Sequence, residues 1–169
     1  MEHALTALTQ VQFGDWTDRN NAEQRRVSLD ARPAGRSDPL ERLRALRTGG
    51  VRRAGERAGY NGRMLRVVCY VQAPRQEADA QLELLELMAK ARHWIVRDER
   101  CLDSAGPALL EYRPGLSAAR RLLRAGYADG LLVPRYEHVS PNLAEYERLL
   151  LEMDQRGWFM ALALSETGR

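Results

Sequence analysis

The chain has 169 residues, 44% of them hydrophobic, and its formal net charge at pH 7 is +3. This length and composition fit one globular domain with an appendage, and they exclude wholesale disorder and a collagen-like chain. The longest apolar runs fall far short of the roughly 20 residues that a membrane span needs, and no secretory signal is visible. Two cysteines, Cys69 and Cys101, cannot form a disulfide framework. We therefore expect a cytoplasmic protein with reduced thiols and no membrane partner.

The basic residues are concentrated in the first third of the chain. Residues 1–66 contain 13 Arg and 8 acidic residues, whereas residues 67–169 contain 13 Lys and Arg and 15 acidic residues. Apolar residues are sparse before Leu65, so burial cannot offset the entropy of ordering this part of the chain. We expect residues 1–64 to be a poorly ordered, largely flexible basic extension and residues 65–169 to form the folded domain.

One short helix is predicted within this extension. Ser37 or Asp38 can cap its N-terminus, and Pro39 suits its first turn. Three regularly spaced leucines follow, and then Gly49 and Gly50, which would end the helix.

The segment after this helix, residues 51–63, is basic and glycine-rich. Two interpretations remain open, a solvated linker and an arm that binds nucleic acid. In the second interpretation Arg52 and Arg53 would contact DNA phosphates, because guanidinium groups pair well with phosphate oxygens.

Residues 65–169 alternate between short apolar runs, which predict buried strands, and amphipathic segments, which predict helices. The predicted strands cover residues 65–71, 94–96, 130–134 and 158–164. The predicted helices cover residues 77–93, residues 114–124 and the segment between Asn142 and Gly157, and residues 101–112 are predicted to be a loop. This order predicts a three-layer α/β domain with a mostly parallel four-stranded sheet. In such sheets, ligand-binding groups collect on loops at the carboxyl ends of the strands.

The spacing of metal-binding and phosphate-binding residues argues against a metal or nucleotide site. His93, His138, Cys69 and Cys101 are far apart and form no Cys-x-x-Cys or His-x-x-x-His pattern. The sequence after the first strand, Gln-Ala-Pro-Arg-Gln over residues 72–76, is not a glycine-rich phosphate loop. We expect no metal and no cofactor.

Two serines on the predicted loops are candidate nucleophiles, Ser104 and Ser140. Ser140 follows His138 by two residues, and a histidine could activate a hydroxyl while Asp103 or Glu137 orients the ring. The alternative is that both serines form turns or cap helices, which is the commoner role for serine at such positions.

Arg113 is a candidate phosphate ligand. It comes directly before Pro114, where a helix is predicted to begin. Free backbone N–H groups and the helix dipole at such a position attract an anion, which a guanidinium could clamp. The alternative is a surface arginine beside an ordinary helix start.

Read together, residues 66–166 resemble the N-terminal catalytic domain of the resolvase/invertase serine recombinases. The matching elements occur in the family's order: Tyr70 in the first strand, Gln81 and Leu82 in the first long helix, His93-Trp94, Asp103 to Gly106, Arg113-Pro-Gly-Leu116, Ala125 to Asp129, Glu137 to Pro141, Gly157, and Ser165-Glu166. The resemblance implies the α/β fold described above and a DNA partner.

In that family a serine attacks a DNA phosphodiester and forms a phosphoserine link, while arginines neutralise the phosphate. The resemblance places the family's motif arginine on Gln72 and its nucleophile on Pro74. The Asp-Arg pair and the last arginine of the set fall on Glu137, His138 and Pro141. Arg113 is kept, and Arg75 and Arg135 are the other candidate phosphate ligands near this site.

The resemblance therefore predicts a recombinase-like domain without catalysis, a pseudoenzyme related to mobile elements that acts as a DNA-associated or regulatory module. Two alternatives remain open: an active site-specific DNA recombinase that uses non-standard residues, and a protein-interaction domain without DNA binding. Candidate partners are DNA, through the basic arm and Arg113, another recombinase, or a second copy of the chain. Family members continue into a long assembly helix and a DNA-binding domain, and we expect both to be absent here.

Overall fold

The computed structural model of the protein describes residues 38–106 and 109–166. Within them the chain forms four α-helices and five β-strands. In chain order these are α1 (Pro39–Tyr60), β1 (Arg66–Gln72), α2 (Arg75–Ala91), β2 (Ile95–Val96), β3 (Cys101–Asp103), α3 (Pro114–Arg124), β4 (Gly130–Val133), α4 (Leu143–Gln155) and β5 (Phe159–Leu162). The predicted flexibility of residues 1–37 concerns a segment outside the described residues. No helix in the described part is long and apolar enough to cross a membrane.

The sheet is parallel throughout, with the strand order β2–β1–β4–β5 and with β3 also paired to β1. Arg66 at the start of β1 lies opposite Ile95 of β2, and Gln72 at its end lies opposite Asp103 of β3. The two short strands β2 and β3 therefore lie beside β1, where the sequence predicted a single strand. The prediction of a loop over residues 101–112 is wrong at its start, where the chain forms β3. A strand of three residues is too short to produce a periodic pattern in the sequence.

Helices cover both faces of the sheet, which confirms the predicted three-layer α/β fold. Successive residues of β1 point to opposite faces. Val68 and Tyr70 belong to a core cluster with residues of α3 and α4, whereas Val67, Cys69 and Val71 belong to a cluster with residues of α2. The strand is buried on both faces, as expected of a parallel sheet.

The first helix differs most from the sequence prediction. It begins at Pro39 with Asp38 as its cap, as predicted, but it does not end at Gly49 and Gly50 and continues to Tyr60. The compact unit accordingly begins at Asp38, so part of the segment that the sequence assigned to the extension is a helix packed against β5.

Tertiary packing explains why the helix continues through two glycines. Leu43, Arg47, Gly50, Ala54 and Ala58 form one buried stripe along α1, and the helix packs against β5. A glycine inside a helix costs roughly 1 kcal/mol relative to alanine. Burial of this stripe outweighs that cost.

The arginines of α1 and of the following turn explain the uneven distribution of charge along the chain. They pair with acidic residues that lie more than 60 positions later, in the pairs Arg42–Glu147, Arg47–Glu166, Arg53–Asp154 and Arg63–Asp129. The basic residues of positions 38–66 and the acidic residues that follow them are therefore complementary parts of one domain. Residues 51–60 lie within α1, so the linker interpretation is wrong for this part, while nucleic-acid binding by Arg52 and Arg53 stays a prediction.

Candidate functional site at the carboxyl ends of the strands

Four residues selected from the sequence meet at the carboxyl ends of β1, β3 and β4. Gln72 ends β1 and Asp103 ends β3, and the two are partners in the sheet register. His138 lies in a short 3₁₀ turn after β4, and Arg113 precedes α3. Hydrogen bonds join His138 both to Gln72 and to Arg113. This is the edge of the sheet where ligand-binding groups were expected.

Asp103 attaches the N-terminus of α3 to the end of β1. Its Oδ1 accepts a hydrogen bond from the Gly115 N–H at 2.8 Å, and its Oδ2 accepts from the Leu116 N–H and from the Tyr70 hydroxyl, both at 3.0 Å. A carboxylate is favourable there because the first N–H groups of a helix lack partners and carry a partial positive charge. Burial and the nearby Asp103 charge raise the pKa of Tyr70, so its hydroxyl remains a donor.

Sequence reasoning missed this network, although one signal for it was present. Tyr70 is the polar-tipped side chain at the centre of an apolar run. A buried hydroxyl needs a hydrogen-bond partner, and a carboxylate on the adjacent strand supplies it here.

Arg113 is buried, with 6% of its surface exposed. Its Nη1 donates to the backbone oxygens of His138, at 3.2 Å, and Val139, at 2.5 Å. The guanidinium thus holds the turn after β4 against the start of α3. Neither alternative considered for Arg113 describes this arrangement fully, because the residue is not on the surface and its Nη1 is directed at carbonyl groups.

His138 is held in its neutral form. The Gln72 backbone N–H donates to Nδ1 at 3.3 Å, and a proton on Nδ1 would face that N–H. Burial lowers the pKa of His138, and the nearby Arg135 charge acts in the same direction against the opposing effect of Glu137. Nδ1 is therefore occupied as an acceptor and is not free to take a proton from a hydroxyl.

The chain matches no family model and no curated protein in sequence. Among solved structures it is similar to the C-terminal catalytic domain of ISC1926 TnpA, an IS607-like serine recombinase. The TM-score is 0.50 at 20% identity, over 59% of this chain and 70% of the other. The domain has the fold of a serine recombinase catalytic domain. The N-terminal catalytic domain of TP901-1 integrase also matches, with a TM-score of 0.47 at 19% identity, over 60% of this chain and 77% of that one.

In this recombinase-like domain, the position predicted for the family's nucleophile is occupied by an exposed proline. Pro74 is the N-cap residue of α2 and has no hydroxyl. The side chain of Gln72, two residues earlier, donates from Nε2 to the carbonyl oxygens of Ser104, at 3.4 Å, and Gly106, at 3.0 Å. Glu137 and Pro141 are exposed, so two more of the family positions lie on the surface of the recombinase-like domain.

The two candidate serines differ in their surroundings. Ser140 is 1% exposed, and its hydroxyl donates to Glu145 and accepts from the Asn142 N–H at 3.1 Å. It therefore belongs to the turn that precedes α4, as the turn-forming alternative describes. Ser104 is exposed on the loop after β3, where its carbonyl accepts the hydrogen bond from Gln72.

The remaining arginines of the predicted phosphate set are divided between two parts of the recombinase-like domain. Arg75, in the first turn of α2, and Arg135, just after β4, are both exposed near the site. Arg52 pairs with Glu56 one turn later in α1, and Arg53 pairs with Asp154 of α4. The structure therefore does not bring Arg52 and Arg53 to the carboxyl ends of the strands. No group of three or more His, Cys, Asp or Glu side chains among the described residues could hold a metal ion.

Proposed function

We propose that this recombinase-like domain does not cleave DNA and acts as a DNA-associated or regulatory binding module. The main observation behind this proposal is that Pro74 lies at the junction of β1 and α2. The covalent route of the family needs a hydroxyl oxygen there to attack phosphorus and release a deoxyribose oxygen. Proline supplies no such oxygen, so neither the phosphoserine bond nor its reversal can occur at this position.

The neighbouring groups support the same conclusion. Cleavage also needs cations aimed at the phosphate oxygens on which charge develops. Gln72 and His138 are neutral, and the Nη1 group of Arg113 is hydrogen-bonded to backbone carbonyls. This set lacks the concentration of positive charge that stabilises a phosphoryl transition state.

The net charge of the surrounding surface also disfavours a phosphodiester in the site. We define the carboxyl edge as residues 38–44, 72–79, 103–106, 109–117, 134–145 and 163–166, the segments that lie at or follow the ends of the strands. Its five cations are Arg42, Arg44, Arg75, Arg113 and Arg135. Its nine acids are Asp38, Glu41, Glu77, Asp79, Asp103, Glu111, Glu137, Glu145 and Glu166. Arg113, Asp103 and Glu166 are buried, and the remaining four cations and seven acids still leave a surface that repels the DNA backbone.

Covalent capture tests the absence of cleavage. The full chain is incubated with end-labelled nicked duplexes of random sequence, and the products are separated under denaturing conditions and examined for phosphoserine by mass spectrometry. We expect no denaturant-resistant protein–DNA adduct from the wild type. We also expect none from Pro74→Ser, because the supporting arginines are missing. An adduct that forms with wild type and disappears in Ser104→Ala or Ser140→Ala would instead establish a recombinase with non-standard residues.

A further inference from the structure

The opposite edge of the sheet carries the positive charge. The helices run antiparallel to the strands, so the last turns of α1, α2, α3 and α4 meet the starts of β1, β2, β4 and β5. We define this amino edge as residues 57–66, 88–95, 121–130 and 152–159. Its eight cations are Arg57, Arg63, Arg66, Lys90, Arg92, Arg121, Arg124 and Arg156, and its three acids are Asp129, Glu152 and Asp154.

Each acid of the amino edge is already paired with arginine. Asp129 accepts hydrogen bonds from both Arg63 and Arg66, which hold its pKa at about 2 against the opposing effect of burial. The other pairs of this edge are Asp154–Arg53, Glu152–Arg120 and Glu152–Arg156. No carboxylate of this edge is therefore left to neutralise the remaining cations.

Several cations of this edge are exposed and have no acidic partner among the described residues: Lys90, Arg92, Arg121 and Arg124. Cations in a last helical turn are favoured by the helix dipole. The dipole explains their position along α2 and α3, but it does not explain why these four cations are left without acidic partners. A surface of this kind attracts a polyanion.

Exposed aromatic rings lie among these cations. Tyr60, which ends α1, is 93% exposed, and Tyr127, two residues before Asp129, is 55% exposed. The Arg63–Asp129 ion pair links the turn after Tyr60 to the turn that contains Tyr127. Arg97 lies 5.7 Å from the centre of the Tyr127 ring, so a cation and a ring are presented together.

Proteins bind single-stranded nucleic acid with two features, cations and exposed aromatic rings, and both are present on this edge. The cations follow the phosphate backbone, and the rings stack on unpaired bases. Bases within a duplex are already stacked on each other, so Tyr60 and Tyr127 favour a single strand over duplex DNA.

We propose that the amino edge, and not the carboxyl edge, is a binding surface for single-stranded nucleic acid. Arg92, Arg121 and Arg124 contact phosphates, and Tyr60 and Tyr127 stack on bases. This inference names a partner for the proposed binding module. The binding experiment below can contradict this inference without contradicting the proposed absence of cleavage, because it measures non-covalent binding and not a covalent adduct.

Fluorescence anisotropy with a labelled 16-nucleotide oligothymidine and a 16-base-pair duplex tests the proposal over a series of salt concentrations. We expect the full chain to bind the single strand more tightly than the duplex, with affinity falling as salt rises. The triple variant Arg92→Gln/Arg121→Gln/Arg124→Gln should bind weakly. The slope of log affinity against log salt concentration should become shallower by about 0.7 for each phosphate contact that is lost. Tyr60→Ala and Tyr127→Ala should each weaken binding about tenfold.

The control is Arg75→Gln/Arg135→Gln, which removes two exposed charges from the carboxyl edge. It should retain the affinity of the wild type, and thermal unfolding confirms that each variant is folded. Loss of binding in this control would overturn the proposal. So would equal affinities for the duplex and the single strand, or an affinity for heparin as high as that for the single strand. Failure of the wild type to bind either probe at low salt would overturn it as well.

Discussion

Arg47 and Glu166 form a bidentate ion pair across 119 positions of sequence. Arg47 Nε donates to Glu166 Oε1 at 2.7 Å and Nη2 donates to Oε2 at 3.0 Å, and both side chains are buried. The Tyr146 hydroxyl also donates to Oε1, at 2.9 Å. Burial by itself would raise the pKa of Glu166, but the hydrogen bonds from Arg47 outweigh it and lower that pKa. The pair fastens α1 to the segment after β5 and to α4.

Arg47→Met should lower the free energy of unfolding by about 3–5 kcal/mol, because it leaves the Glu166 carboxylate buried without its partner. Urea unfolding at pH 7 measures this loss. The control is Arg42→Met, which removes one partner of the more exposed Arg42–Glu147 pair and should cost less than about 1 kcal/mol. Equal losses in the two variants would show that burial of the Arg47 pair has no special effect.

His138 should make the stability of the domain depend on pH at and below the ordinary histidine pKa. Its pKa is lowered in the folded protein, mainly by burial, so the unfolded chain binds more protons in this range. The free energy of unfolding therefore falls as the pH falls through the ordinary histidine pKa. His138→Asn, whose Oδ1 can still accept from the Gln72 N–H, should remove this dependence in urea titrations. An unchanged slope in His138→Asn would assign the effect to another group.

Gly115 should not tolerate a side chain. A Cβ at this position would lie 2.5 Å from the backbone oxygen of Leu102, so α3 would have to move away from β3 and from the Asp103 cap. Gly115→Ala should cost at least about 1–3 kcal/mol, the usual range for overpacking. Gly55→Ala is the control, because a Cβ there meets nothing within 4 Å and alanine favours the helix by about 0.5–1 kcal/mol. Thermal unfolding measures the stability of both variants. If Gly115→Ala were as stable as Gly55→Ala, the close contact with Leu102 would not restrict this position.

The two cysteines should react slowly with thiol reagents in the native protein. Burial, together with the charge of Glu86, raises the pKa of Cys69 to about 12, and burial with the charge of Glu99 raises that of Cys101 to about 11. Both thiols are thus protonated and inaccessible at pH 8. Labelling with a coloured disulfide reagent should be slow in buffer and rapid in urea. Fast labelling of either thiol in buffer would contradict the burial described here.

The sequence also predicted several parts of the recombinase-like fold correctly. Asn142 caps α4 by accepting hydrogen bonds from the N–H groups of Ala144 and Glu145, and α3 covers the predicted residues 114–124. These elements depend on local signals, a capping side chain, a proline in the first turn and an apolar period of 3.6 residues, which the sequence carries in full.

The candidate site was predicted only in its location. That β1 and β4 end at a common edge follows from the strand–helix alternation, but the roles of Asp103, Arg113 and His138 depend on which partner each finds across the sheet. Arg113 was a candidate phosphate ligand, and its contact with the carbonyls of His138 and Val139 arises only when two loops meet.

By itself, the amino-acid sequence determined the strands β1, β4 and β5, the starts of α1, α3 and α4, the layer order, and the proline at the position that the resemblance assigns to the nucleophile. The tertiary structure alone decided the length of α1, the existence of β3, and the placement of charge on two opposite edges of the sheet. The physical reason is the range of the interactions. Capping and periodicity act within a few residues, whereas the burial of Gly50 and the pairing of Arg47 with Glu166 depend on contacts made more than 100 residues along the chain.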